Sequence, residues 1–307
     1  MLESNAMKTV RNNCIFFVIL AVCFTLPATW AGAQRYGLVL AGGGGKGAYQ
    51  VGVWKALYDY GIAQKTVAIS GTSAGGLNAA LFVCVPPQTA EEIWLDYVPD
   101  ELTQDALISQ TGLQNIIDMV PLQRLKTNMP HVCVTAVRNR FKLVKTLFPS
   151  SVGDHAHRFW LNEETDTEEI GRKLLATSAF PVLTSPVKLS DGYEYTDGGE
   201  ESAGGDNVPI TPIVDSYPSI QDIIVVYTSD AEHLKRRIKV KNYDWIHITE
   251  IIPSIDLDGN LFSDGLLEGT TNFTRDRIQL LIRTGYADTV AILKSQGFYP
   301  VADYWFR

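Results

Sequence analysis

Cysteine is scarce, with four residues in 307, at positions 14, 23, 84 and 133. No pair has zinc-type spacing, and so low a count cannot staple a disulfide-built scaffold. Cys84 and Cys133 lie among apolar neighbours and read as buried free thiols, although a single disulfide stays open outside the cytoplasm. Positive charge is also short. Lys and Arg number 26 against 34 Asp and Glu, a net −8 with no basic stripe, which speaks against nucleic acid as a partner. There is no Pro/Ser-rich linker, no charge block and no internal repeat. Histidine occurs at 131, 155, 157, 233 and 247, never in a motif that announces catalysis. Asp154-His155-Ala156-His157 has the residue types of a metal chelate but reads as a solvated loop, so neither a metal nor another cofactor is expected.

The amino terminus has the three parts of a secretory signal. Met7-Lys8-Thr9-Val10-Arg11 is basic, Cys14 to Leu26 is an apolar core of 13 residues, and Ala31-Gly32-Ala33 is a small-x-small cleavage site. A comfortable membrane-spanning helix needs about 20 apolar residues, so cleavage after Ala33 is preferred to an anchor. A lipoprotein reading at Leu20-Ala21-Val22-Cys23 meets a bulky Val22 where a small residue is required. Met1 to Ala6 precede a second methionine and read as residues added ahead of the natural start. Residues 1–33 are therefore set apart, and 34–307 are expected to form a single domain, secreted or periplasmic. Without Glu3, Lys8 and Arg11 the mature chain carries 24 basic and 33 acidic residues, a net −9. An anionic membrane repels such a chain at long range, so any contact with lipid must be transient, local and apolar.

Gly71-Thr72-Ser73-Ala74-Gly75 follows the β-prone run Val67-Ala68-Ile69 and precedes a helical segment, Gly76 to Phe82. Glycine two residues on either side of a serine, at a strand-to-helix junction, is the pattern of a nucleophile elbow. Upstream, Tyr36 to Leu40 reads as a first strand, then Ala41-Gly42-Gly43-Gly44-Gly45-Lys46-Gly47, then a helix over Ala48 to Tyr60. Successive glycines expose backbone N–H groups, which suits an anion or an oxyanion. A nucleotide P-loop fails at both ends, with Leu40 and Gly47 where glycine and a hydroxyl residue are needed. A dinucleotide fingerprint fits Gly42, Gly44 and Gly47, but the next strand ends at Ser70-Gly71 without the acidic residue that grips ribose. An oxyanion hole serving Ser73 accounts for both glycine clusters. Downstream, Tyr193 to Thr196 alternates like a short strand and leads into Asp197-Gly198-Gly199, which by itself reads as a turn.

Glycine loop, Gly-x-Ser-x-Gly and Asp-Gly-Gly, in that order, resemble the patatin-like phospholipase family. Gly42 to Gly47, with the basic Lys46, resembles its oxyanion loop, Gly71 to Gly75 its nucleophile motif, and Asp197-Gly198-Gly199 its aspartate motif. Ala176 to Pro181 and Asn207-Val208-Pro209 are similar to the flanking blocks, and the likeness runs from about Arg35 to about Asp230. Glu200 to Asp206 looks like an insertion. The resemblance implies a Ser73–Asp197 dyad without histidine, a lipid or other acyl-ester substrate, and no cofactor. Hydrolysis or acyl transfer on non-phospholipid esters shares every motif, and a non-catalytic anion-binding protein is a third reading. The sequence carries no sign of oligomeric state.

Helices are expected over Ala90 to Val98, Gln110 to Leu125, Thr167 to Thr177 and Thr274 to Gln296. Strands are expected over His131 to Val137, with Phe141 to Phe148 as its antiparallel partner, and over Asp222 to Tyr227. Alternation of this kind implies a three-layer α/β/α fold with a mostly parallel central sheet. Residues 91–125 read as a helical layer or a lid, and the aromatic tail, Phe298-Tyr299 and Tyr304-Trp305-Phe306, as core packing. A dyad without histidine predicts that His233→Ala and His247→Ala keep most ester hydrolysis. Near-total loss in either variant would point to a Ser…Asp…His order instead.

Overall fold

Tyr36–Leu40 is buried at every position, the mark of a strand covered on both faces. This is β1. A computed structural model describes residues 34–102, 109–139, 156–181, 183–200, 204–231, 245–258 and 268–301. After β1 come a 3-10 turn (Gly44–Gly47), α1 (Ala48–Asp59), β2 (Thr66–Thr72), α2 (Ala74–Cys84) and α3 (Pro87–Glu92). A π-helical turn (Ile93–Tyr97) runs into α4 (Val98–Leu102), followed by α5 (Gln110–Met119) and a 3-10 turn (Leu122–Lys126). Then follow β3 (His131–Arg138), β4 (Ala156–Trp160), α6 (Thr167–Thr177), β5 (Val187–Lys188), β6 (Glu194–Asp197), α7 (Thr211–Ser216) and β7 (Asp222–Val226). The described chain closes with β8 (His247–Ile251), α8 (Glu268–Thr271) and α9 (Arg275–Ser295).

The strands form one sheet, hydrogen-bonded along the path β5-β6-β3-β2-β1-β7-β8, with β4 also on β3. Strands β3, β2, β1, β7 and β8 run parallel, whereas β4 and β6 are antiparallel to β3. Alternate side chains fill two cores, as the two-residue period of a strand requires. Leu38, Leu40, Ile224 and Val226 pack with α1, α2 and α9 on one face. Val39, Ile223 and Val225 pack with Ile210 and Ile213, at and in α7, on the other. The sheet is thus mostly parallel and flanked by helices. Helix α9 lies directly on α1: a Cβ at Gly52 would fall 1.9 Å from the Ile282 carbonyl, and one at Gly285 2.0 Å from that of Tyr49. Only glycine permits that backbone contact.

Strand β3 is the element that builds the site. Its residues 131–135 pair with β2, and residues 133–137 pair with β4. The overlap puts β2 and β4 on opposite edges. Residues 136–138 pair with β6, so β6 lies on the β2 edge, taking over where β2 ends. Asp197 closes β6 just where Ser73 leaves β2.

Several expectations are corrected. The helix starting at Gln110 stops at Met119, because Pro121 cannot continue the hydrogen-bond ladder. The stretch taken as a solvated loop includes β4, with Ala156 and His157 in the β3 ladder. Phe298 packs on the core as expected, but Tyr299 is exposed. Cys84 and Cys133 are free and buried, and burial pushes both thiols up to about 12. Residues 1–33, Phe141 to Phe148, Asp154, His155, His233 and Tyr304 to Phe306 lie outside the described residues. Among those described, no helix is long and apolar enough to cross a membrane.

Candidate active site

Ser73 stands between β2 and α2 with φ 54° and ψ −128°, the one positive φ on a non-glycine among the described residues. Such a backbone costs of order 1–3 kcal/mol and survives only where its surroundings impose it. They do so by close approach. A Cβ at Gly71 would meet the Gly75 carbonyl at 2.3 Å, and one at Gly75 would meet the Leu40 carbonyl at 2.3 Å. The turn is pressed against the end of β1, and Ser73 keeps 9% of its surface.

Asp197 is only 3% exposed. Its N–H donates to the Ala179 carbonyl at 2.8 Å, and its Oδ1 accepts the Gly199 N–H at 2.7 Å. The Ser73 hydroxyl faces its carboxylate and, as a hydrogen-bonding neighbour, favours the ionised form. Burial pushes the Asp197 carboxyl up to about 6, against the lowering effect of the Ser73 and Gly199 bonds, and the nearby Glu200 charge adds to the rise. A serine hydroxyl thus faces a carboxylate that is ionised at neutral pH yet more basic than a solvated one.

The glycine loop supplies the opposing charge. The Gly42 N–H donates to the Asn207 carbonyl and the Lys46 N–H to the Gly43 carbonyl, so both are committed to the fold. Gly43 and Gly44 line the cavity beside Ser73, and among the described residues their N–H groups have no acceptor. Gly42 must lack a side chain, because a Cβ there would fall 2.4 Å from Asn207 Oδ1 and 3.1 Å from Ser73 Cβ. Two buried amides hold the loop from below. Gln50 Nε2 donates to the Ala41 carbonyl at 2.6 Å, and Asn78 Nδ2 donates to the Gly47 carbonyl and to Gln50 Oε1, each at 2.9 Å. Trp94 Nε1 completes the chain by donating to Asn78 Oδ1 at 2.9 Å. Lys46 is nearly buried and forms an ion pair with Asp258.

A cavity of about 390 Å³ opens at Ser73, Asp197 and the glycine loop. From there it is walled by Leu81 of α2, Trp94, Ile117 of α5, Leu174 of α6 and Phe273. Its lining is polar around Ser73 and Asp197 and apolar over most of the rest, as ligand cavities commonly are. Residues 91–102 and 110–122 contribute to this wall and pack on the core, which matches the helical-layer expectation.

Gly42 to Gly47, Gly71 to Gly75 and Asp197 to Gly199 are therefore brought together at the carboxyl end of the parallel strands. The described histidines are not. His131 is bonded to Tyr217 at the start of β3, His157 packs edge-on against Tyr195, and His247 pairs with Asp222 at the start of β8. None of the three lines the cavity. Among the described residues no cluster of three or more His, Cys, Asp or Glu could hold a metal ion. Sequence reading missed Gln50, Asn78 and Trp94. Their signal was an amide among apolar neighbours in each of two helices, since a buried amide implies a partner.

A family model described as patatin-like phospholipase matches residues 38–214, a span holding the glycine loop, Ser73, Asp197 and Asn207. Among solved structures the chain is similar to VipD from Legionella pneumophila, at 14% identity and TM-score 0.45, over 85% of this chain and 67% of that one. It is similar to the type III effector protein ExoU at 15% identity and TM-score 0.39, over 86% of this chain and 53% of that one. The ExoU–SpcU complex from the type III secretion system of Pseudomonas aeruginosa gives 15% identity and TM-score 0.37, over 86% and 52%. The chain spans about half the length of the ExoU chains. No curated protein matches it.

The raised Asp197 pKa makes a stability prediction. The carboxyl holds its proton more tightly in the fold than when unfolded, so its contribution is present below about 4 and lost as pH rises through about 6. A shift of about 2 units amounts to roughly 3 kcal/mol. Asp197→Asn, which cannot ionise, is expected to gain stability over the parent between pH 4 and 7 by up to that amount, and nothing below pH 4. Urea unfolding at pH 4 and pH 7.5 reads the difference, and a pH-independent offset would refute the assignment.

Proposed function

This chain belongs to the patatin-like phospholipase family, and from that membership we propose that it is a serine lipid acyl hydrolase of phospholipase or lysophospholipase type. The observation that carries this reading is the Ser73 hydroxyl, facing a buried Asp197 carboxylate on the lining of a largely apolar cavity. Ser73 Oγ attacks the ester carbonyl while Asp197 takes its proton. The carbonyl oxygen gains negative charge, and the free N–H groups of Gly43 and Gly44 stand ready to receive it. Collapse breaks the ester C–O bond, and Asp197 returns the proton to the leaving alcohol. Water then gives one proton to Asp197 and attacks the acyl-serine; collapse breaks the acyl–Oγ bond, Asp197 returns the proton to Ser73 Oγ, and the fatty acid leaves. A carboxylate is a weak base, and two features compensate: a pKa of about 6 and preorganised donors in place of water.

The acyl chain occupies the apolar part of the cavity, and the alcohol or headgroup stays beside its polar part. Contact with a lipid surface is then transient and local, as the net charge of the chain favours. Assays across phospholipid, lysophospholipid, triglyceride and short p-nitrophenyl esters separate a lipid hydrolase from an esterase of another class. A fluorophosphonate should add covalently to Ser73. Ser73→Ala and Asp197→Asn should each lose at least about 10³-fold in ester hydrolysis. In the parent, kcat/KM should rise with pH through about 6 as Asp197 ionises. An unlabelled Ser73 would favour a non-catalytic anion-binding protein.

We further propose export through a cleaved amino-terminal signal, to the periplasm or the medium. The exported protein should then begin at Gln34 by amino-terminal sequencing, and a product retaining Cys14 to Leu26 would contradict this.

A further inference from the structure

Thr177 is the last residue of α6 and has no exposed surface. Its hydroxyl lies between two backbones. Oγ1 accepts the N–H of Ser73 at 3.0 Å and donates to the carbonyl of Thr135 in β3. The Thr177 carbonyl accepts the N–H of Gly198 at 3.3 Å, and two residues on, the Ala179 carbonyl accepts that of Asp197. The end of a single helix therefore grips the chain beside Ser73 and beside Asp197, whose side chains face each other. Its Cγ2 methyl packs on Gly76, where a Cβ would stand 3.1 Å away. Thr177 does not line the cavity and so has no contact with a bound ester.

We infer that Thr177 is a positioning residue, whose hydroxyl fixes the direction from Ser73 Oγ to the Asp197 carboxylate. The physical need is plain. Ser73 sits at a strained φ, so its peptide would relax unless its N–H is held, and rotation there swings the side chain. Thr135 and Thr177 fasten that N–H to β3, the same strand whose register places Asp197. Valine has the shape of threonine but can neither accept nor donate. It would leave the Ser73 N–H and the Thr135 carbonyl unpaired. Serine keeps the hydroxyl and loses only the methyl.

This assignment rests on the reading of Ser73 and Asp197 as the reacting pair, and the experiment separates the two. Parent, Thr177→Val and Thr177→Ser are compared in hydrolysis of a p-nitrophenyl ester, with active sites counted by fluorophosphonate titration. Thr177→Val should lose roughly 10²-fold in kcat per titrated site, the scale of a misplacement near 1 Å. Its KM should stay within about threefold, because the cavity is untouched. The acid limb of its pH profile should move above that of the parent, since the Ser73 bond that lowers the Asp197 pKa is weakened. Thr177→Ser should match the parent in all three readouts within about threefold, having kept the bonding group. Should the valine variant fail to fold, Thr177→Cys replaces it. A thiol bonds more weakly, and about tenfold loss in kcat is expected. A valine or cysteine variant with parental kcat and acid limb, whatever its melting temperature, overturns the role of Thr177. A parent that neither labels nor hydrolyses overturns the reacting pair, and this assignment with it.

Discussion

A carboxylate kept ionised where water hardly reaches it is the constraint around which this molecule is arranged. Desolvation works against the charge on Asp197, and the Ser73 hydroxyl and the Gly199 N–H work for it. The compromise is a base stronger than a surface aspartate, obtained by placing an unfavourable group at the centre of the fold. That expense is acceptable only if the oxygen of the attacked carbonyl meets donors already in place. In the proposed reaction the N–H groups of Gly43 and Gly44, which have no acceptor among the described residues, provide them, and they too are unfavourable in the resting protein. Strain at Ser73, a buried charge and idle donors all lie within one small volume, and the surrounding core holds them there.

Those surroundings are specific. Gln50 and Asn78 brace both ends of the glycine loop, and Trp94 links the same amides to the wall of the cavity. Asn207 supports the loop from the other side, with its carbonyl on the Gly42 N–H and its side chain wedged between Gly42 and Gly199. Loop, elbow and aspartate turn thus share partners and do not stand as three separate features.

Much of the site was legible in the sequence because tight turns write themselves in glycine. Gly71, Gly75 and Gly42 each touch backbone or another site residue so closely that no side chain fits, and such positions announce themselves without knowledge of the fold. The helical and strand periods of the central elements were equally plain. β4 was not, because His157, Arg158 and the aromatic residues beside them are half-buried throughout and show no alternation. The end of α5 was misplaced because apolar spacing persisted past Pro121. Gln50, Asn78 and Thr177 could be seen as polar residues in apolar company, but their partners lie far along the chain. Only three-dimensional structure supplies those.

The shared edge of β3 has a consequence for how such a site can change. β2 and β6 lie end to end along one strand, so the span from Ser73 to Asp197 is measured out on β3 as on a ruler graduated in residues. One graduation is about 3.3 Å, and a slip of one residue also turns every side chain to the opposite face. The Ser73–Asp197 spacing cannot drift by small increments. Loops on either side can lengthen or shorten freely while the register holds, and a change in register abolishes the pair at a stroke.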